Sequence, residues 1–335
     1  MIQRHPPATR LPLAVSTGIA AILSAGLSIS AQAAELRGWN IHPEGYPNTV
    51  ALEQFAAEVA EKTGGEITIE LFNGGVLGSQ PDAIEQVRLG ALDVGQFNLG
   101  PMGTSVPATN VVSLPFIFKG IPQMYRVMDG EIGDAIGEGM AEKGIVALAW
   151  YDSGARSFYN SERAITTPAD VEGLKVRVMN NDLFVGMVES MGGNATPMAF
   201  AEVFQSIKTG VVDGAENNPP SYESTNHFEV APFYSLTEHL IIPECVCMSK
   251  SSFDELSAEQ QDIVRTAARN SAEAQRELWQ AREKESMAKV EADGAQVNVI
   301  EDKGPFQEAM APVYDQFLAA NPDLAELVQM MRDAE

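Results

Sequence analysis

Residues 173–219, GLKVRVMNNDLFVGMVESMGGNATPMAFAEVFQSIKTGVVDGAENNP, decide how this chain is read. The run is apolar and rich in turn residues, yet Arg177 stands in the middle of a strand-like segment, Lys175-Val176-Arg177-Val178-Met179. A second short strand expected over 211–215 leads towards two adjacent amides, Asn217 and Asn218. A guanidinium is a planar fork that meets a carboxylate through two parallel hydrogen bonds. Carried on a rigid strand beside paired amides, it suits recognition of a carboxylate rather than bond cleavage. A structural salt bridge is the competing role for a lone arginine.

Outward from this run, strands expected at 35–41, 66–72, 91–98 and 145–151 alternate with helical patterns. Asn48 or Thr49 caps a helix that runs to Lys62, where Gly64-Gly65 ends it. Ser79 caps a second with Pro81 in its first turn, and others cover 122–128 and 132–142. Thr167 is an N-cap whose helix delivers the chain into the Arg177 strand. Such alternation predicts an α/β protein whose mostly parallel sheets carry ligand sites at the carboxyl ends of their strands. Asn98 stands at such an end. Ser257-Ala258-Glu259-Gln260 is a capping box, and the helical pattern beyond it continues to about Ala292. At ~1.5 Å per residue that helix is ~54 Å long, which suits a helix lying across two lobes.

The first residues combine Arg4, His5 and Arg10 with a mostly apolar stretch over 11–30 and Ala31-Gln32-Ala33. This is the pattern of a secretory signal peptide, 1–33, cleaved after Ala33. No later segment offers the ~18 consecutive apolar residues of a membrane span, so the expectation is an exported, periplasmic protein without membrane insertion once cleaved. Loss of Arg4 and Arg10, with no acid in the same stretch, takes the formal charge from −24 to −26. Such a surface repels nucleic acid and anionic lipid, and a pocket for an anion must concentrate its few cations locally. The remaining chain of about 300 residues is large enough for two lobes. Cys245 and Cys247 read as buried small hydrophobes on one face of a strand, a poor geometry for bridging each other.

The sequence carries no G-x-S-x-G elbow, no phosphate loop and no H-E-x-x-H. Beyond the leader only His42, His227 and His239 remain, far apart, so no metal or cofactor is expected. Binding chemistry is better supported. Arg156, near the start of the second lobe, either converges with Arg177 on one carboxylate, offsetting its desolvation, or pairs with Asp152. Phe200 and Phe204 open a helix after Thr196-Pro197-Met198; one could stack on an apolar ligand face, with core packing the default for Phe204.

LPFIF (114–118), TPADVEGLKVRV (167–178), TPMAFAEVFQSIKTGVVDGAENNP (196–219) and their spacing resemble the solute-binding proteins of TRAP transporters, the dicarboxylate-binding-protein-like family. The resemblance covers essentially all the chain after the leader. It implies a two-lobed periplasmic binding protein fold, with a ligand cleft between the lobes and a long helix spanning both. Lobe I is expected over 34–153 with 243–282, and lobe II over 154–242 with 283–335. It implies a binding protein, not an enzyme, that delivers its ligand to the small and large TRAP membrane subunits. By position in the family's motifs, Arg177 makes the two-pronged salt bridge to the ligand carboxylate. Arg156 is the second arginine, Asn217 the asparagine of the DG-x-EN motif and Phe200 the aromatic of TPM-x-F. Asn180 and His239 line or support the same cleft.

Sialic-acid-binding members carry an acidic residue where this chain has Asn98, and Gln80 also departs from them. HPEGYP (42–47), with ENN-x-PSYEST-x-HFEVA-x-x-YSLTEH (216–239), is similar to the subgroup that binds hexuronates such as glucuronate and galacturonate. His42, Gln80, Asn98, Asn217, Asn218 and Glu244 could then read the hydroxyls. The alternatives are another sugar acid or organic monoacid bound by the same family, and, from another class, a periplasmic uronate-processing enzyme.

Overall fold

The computed structural model describes residues 1–3 and 34–334, so nearly all of the expected leader lies outside the described residues. The described strands are β1 (Ala34–Asn40), β2 (Ile67–Phe72), β3 (Val94–Asn98), β4 (Ile145–Tyr151), β5 (Ala155–Asn160), β6 (Lys175–Val178), β7 (Asn194–Pro197), β8 (Gly214–Asn217), β9 (Phe233–Ile241), β10 (Glu244–Ser249) and β11 (Gln296–Val299). They form a five-stranded sheet, β2-β1-β3-β10-β4, and a six-stranded sheet, β11-β9-β5-β8-β6-β7. The chain passes between the sheets three times, once by way of the helix Ala258–Ala292 from β10 to β11 and twice by short crossings, through 152–154 from β4 to β5 and through 242–243 from β9 to β10. These crossings correct the expectation of mostly parallel sheets. They insert β10 antiparallel to both β3 and β4, and β5 antiparallel to both β8 and β9, so each sheet is mixed.

Local chemistry explains most element ends. The helix Pro47–Lys62 is preceded by Tyr46 in extended conformation rather than capped by Asn48 or Thr49. Proline fits the first helical position because it lacks the N–H that would be unsatisfied there. Asn48 and Thr49 are thereby freed to point inward, where Asn48 Nδ2 donates to Glu244 Oε2 at 2.7 Å and Thr49 Oγ1 accepts from Asn40 Nδ2 at 2.6 Å. The helix Gln80–Arg88 has the expected Ser79 cap, closed by Asp82. Thr167 and Asp170 form a capping box, but it opens only a single 3-10 turn, Pro168–Val171. The strand expected from Val211 begins at Gly214 instead, with Val211 exposed in the turn before it.

Cys245 and Cys247 are fully buried, as expected, but joined by a disulfide. Alternation does place both side chains on one face. Their Cα atoms are 5.6 Å apart, inside the range a disulfide spans. That is shorter than the ~6.6 Å rise of two residues in a regular strand, and the pairing with β4 shifts register at this point.

The helix Ala258–Ala292, 35 residues, is ~52 Å long. Its first half packs on Pro47–Lys62 and β4, and its second half on the helix Pro219–Ser224. Arg282 and Lys289 both pair with Glu223 there. Midway, buried Trp279 meets the ring of Tyr46 edge-on at 5.8 Å. The helix therefore spans both layers. One apolar cluster is continuous from Trp39 and Phe97 on the first sheet to Phe184 and Phe317 beside the second. The last helix, Ala325–Asp333, returns to pack on the helix Glu131–Glu142. Among the described residues no helix is long and apolar enough to cross a membrane.

Where the long helix passes the first crossing, Gly154 has φ +64°, and a Cβ there would sit 2.7 Å from Glu283 Oε1 and 2.9 Å from Trp279 Nε1. Burial, reinforced by the nearby carboxylates of Asp152 and Glu238, pushes the Glu283 carboxyl up to about 7. A carboxyl raised above its unfolded value near 4.5 stabilises the fold while protonated, and that contribution is lost as pH rises through about 7. Glu283→Gln should remove this dependence. Urea midpoints at about pH 5 and about pH 8 should show the variant gaining on the wild type at the higher pH; parallel behaviour would contradict the assignment.

Candidate functional site

Residues following the carboxyl ends of β1, β2, β3, β6, β7 and β8 line one cavity of about 300 Å³, at the lower end of the usual range for small-molecule sites. Ten of the eleven expected site residues line it: His42, Gln80, Asn98, Arg156, Arg177, Asn180, Phe200, Asn217, Asn218 and Glu244. Ile41, Pro101, Met179 and Met198 add apolar wall. His239 does not line the cavity. It lies behind it, stacked on Phe158 at 4.2 Å with its Nε2 3.8 Å from Glu216.

Arg177 is 3 % exposed. β6 holds it between β7 and β8, opposite Thr196 and Ala215. One edge of its guanidinium is fixed, with Nε and Nη2 donating to the Met198 carbonyl at 3.0 and 2.8 Å. Among the described residues no carboxylate forms an ion pair with it. Burial pulls it down to about 10, with Glu216 opposing, so it stays charged at neutral pH. The nearby His227 is held neutral, pushed down to about 3 by burial and by Arg177 itself.

Arg156 is buried too, but it is neutralised, and its partner is Glu216 rather than Asp152. Its Nε and Nη2 donate to the two Glu216 carboxylate oxygens at 2.6 and 2.8 Å, and Nη2 also donates to the Glu216 carbonyl. Its Nη1 donates to Asn217 Oδ1 at 2.7 Å, and the Asn218 N–H donates to the same oxygen at 2.9 Å. Two donors on Oδ1 fix the orientation of the Asn217 amide. Its Nδ2 is then left without a partner among the described residues. Arg156 thus positions Asn217, while Arg177 carries the uncompensated charge.

The opposite end is built around Glu244, paired in register with Asn98 across β3 and β10. It accepts from Asn48, Gln96 and Asn98, the last at 3.2 Å, and His42 Nε2 stands 3.6 Å away. Burial favours the neutral acid, but His42 and the amides outweigh it and hold Glu244 below the usual carboxylate range. Asn218 is occupied in structure, capping Ser221 N–H through Oδ1 and donating to the Ser153 carbonyl. Gln80 donates to the Asn98 carbonyl at 2.9 Å, and Asn180 is exposed at the rim.

Residues 40–321 match the family described as bacterial extracellular solute-binding protein, family 7. The chain belongs to this family. A solute-binding protein of Chromohalobacter salexigens is 56 % identical over 314 residues, covering 94 % of each chain. A TRAP periplasmic solute binding protein of Sulfitobacter sp. NAS-14.1, solved with bound β-D-galacturonate, is 67 % identical with a TM-score of 0.89, over 90 % of this chain and all of that one. One from Roseobacter denitrificans with bound β-D-glucuronate is 65 % identical at the same TM-score and coverage. The two-lobed fold expected from the sequence is therefore shown, and the family is one of extracytoplasmic solute-binding proteins rather than enzymes.

Several residues that shape this cavity escaped the sequence reading. Glu216 is the clearest, and its signal was present: an acid inside a short apolar strand needs a buried cation. Asn48 and Gln96 had no such signal, because a neutral amide in a helix or strand is uninformative until its partner is known. Across the cleft, Tyr46 Oη lies 3.0 Å from Ser221 Oγ, and Asn181 Nδ2 donates to the Gly100 carbonyl at 2.7 Å.

The two arginines should respond oppositely to mutation. Glu216→Gln leaves Arg156 buried without its counter-charge and should cost about 3–5 kcal/mol of unfolding free energy. Arg177→Met removes a buried charge that has no ion-pair partner, so stability without ligand should stay within about 1 kcal/mol of wild type or rise. Denaturant unfolding measures both; equal losses would show that Arg177 is structural.

Proposed function

We propose that the protein is the solute-binding component of a TRAP transporter, that it works in the periplasm, and that it captures a hexuronate, D-glucuronate or D-galacturonate. The observation that carries this reading is Arg177, a buried guanidinium with one edge fixed by Met198 and, among the described residues, no carboxylate partner, lining a cavity with neutral polar groups. A ligand carboxylate completes it through charge-assisted hydrogen bonds. The free Nδ2 of Asn217 donates to the ligand, and Phe200 with Met179 and Met198 offers apolar contact to the C–H faces of a sugar ring. Gln80, Asn98, His42 and Glu244 read hydroxyls from the other side. Relatives at 65–67 % identity with bound glucuronate or galacturonate support the ligand class.

In this reading 34–153 with 243–282 form lobe I, and 154–242 with 283–335 form lobe II. The ligand stabilises the closed form only through contacts it makes better there than in an open one. Tyr46 with Ser221, and Asn181 with Gly100, are protein contacts that closure would form. The closed form then docks on the small and large membrane subunits.

A thermal-shift panel of sugar acids, followed by calorimetry, tests the reading. At a hundred times its dissociation constant a hexuronate should add ~2.7 kcal/mol of stability. Arg177→Ala, folded as judged by its unliganded melt, should lose the shift. A clear shift with another acid and none with any hexuronate would overturn the ligand assignment, and an unchanged shift in Arg177→Ala would overturn the clamp.

A further inference from the structure

The Glu244 end of the cavity carries an asymmetry that bears on what the site rejects. Glu244 is 4 % exposed, and its hydrogen bonds come from neutral amides, Asn48 and Gln96 on Oε2 and Asn98 on Oε1. A carboxylate offers roughly four lone-pair sites, two on each oxygen, so three amides leave one open, on Oε1. His42 is also buried, and its Nε2 makes no hydrogen bond. Its ring is clamped flat on Tyr46, centroids 4.0 Å apart and 4° from parallel, while its Nε2 stands 3.6 Å from Glu244 Oε2. Both residues line the cavity.

An acceptor with one open site therefore stands beside an imidazole nitrogen with none of its bonding used. A ligand hydroxyl satisfies both at once, donating to Glu244 and accepting from the His42 Nε2–H. A second carboxylate satisfies neither arrangement: it has no proton to donate, and it brings a negative charge against a buried one. Like charges in such a contact are a strong discriminator against wrong partners.

We infer that Glu244 and His42 form a hydroxyl-only subsite that restricts this cavity to acids with a single carboxylate, excluding the aldaric acids made by oxidising a hexuronate at carbon 1. The inference rests on the hexuronate reading and sharpens it. Arg177 selects for one carboxylate at one end, and Glu244 selects against another at the far end. Among the described residues the arginines lining the cavity are Arg156 and Arg177, and with Arg156 already neutralised by Glu216 neither is left over to rescue a dianion.

Calorimetry on the wild-type protein tests this with three probes: D-glucuronate, D-glucarate, and D-glucaro-1,4-lactone, in which the second carboxyl is neutral. Glucarate should bind about a hundredfold more weakly than glucuronate or worse, and the lactone should recover at least about tenfold of that loss. Glu244→Gln should bind glucuronate less tightly and glucarate more tightly, narrowing their ratio by at least about tenfold. Glucarate binding as well as its lactone to wild type overturns the inference without need of a folded variant. So does an unchanged ratio in a variant whose melt is intact. Failure of glucuronate and galacturonate to bind wild type at all would instead overturn the hexuronate reading, and this inference with it.

Discussion

The arrangement depends on one unbalanced charge. A chain with formal charge −24 places two arginines side by side in a buried cavity, and among the described residues only one of them has a counter-ion. Glu216 neutralises Arg156, and the neutralised pair becomes a rigid platform that orients Asn217. Arg177 is tied by one edge to a main-chain carbonyl. A backbone carbonyl offers a partial charge, not a full one, so the burial of Arg177 is left incompletely compensated. In the proposed function, a ligand carboxylate supplies that deficit. Preorganisation of the guanidinium means little conformational freedom is lost when the ligand arrives.

The fold makes this possible by bringing strand ends of two sheets to one place. The crossings at 152–154 and 242–243 turn the chain so that β10 enters the first sheet antiparallel, with Glu244 at its start, opposite the end of β3. The same device puts Arg156 near the start of β5, beside the end of β8. A parallel sheet alone would offer only carboxyl-terminal residues to the cleft. The mixed sheets add residues from the starts of two returning strands, Arg156 in β5 and Glu244 in β10, and both are charged and line the cavity. The long helix ties the two layers through Trp279 and the Glu223 pairs.

Much of this was legible in the chain itself. Strand–helix alternation, the caps at Ser79 and Ser257 and the length of the long helix are local signals, and they gave much of the element order up to Ala292 and pointed to two lobes, while the family resemblance implied the cleft between them. Arg177 stood out because a guanidinium within an apolar strand needs an explanation. Pairings between distant residues were the part hidden from view. Asp152 lay four residues from Arg156 and Glu216 lay sixty, and nothing local distinguishes the true partner. The Cys245–Cys247 disulfide was missed because regular strand geometry was assumed where the pairing with β4 shifts register. The capping role expected of Asn48 and Thr49 failed because Pro47 already provides the helix start, leaving Asn48 to hold Glu244 and Thr49 to hold Asn40.

The central claim is that Arg177 awaits a carboxylate. Its most direct test alters the ligand and leaves the protein untouched: calorimetric titration of the wild type with D-glucuronate and with D-glucuronamide, which replaces the carboxylate by a neutral amide of nearly the same shape. Because the amide leaves the buried guanidinium without its counter-charge, the account predicts a loss of about a hundredfold or more in affinity. Equal affinities for the acid and the amide would contradict it.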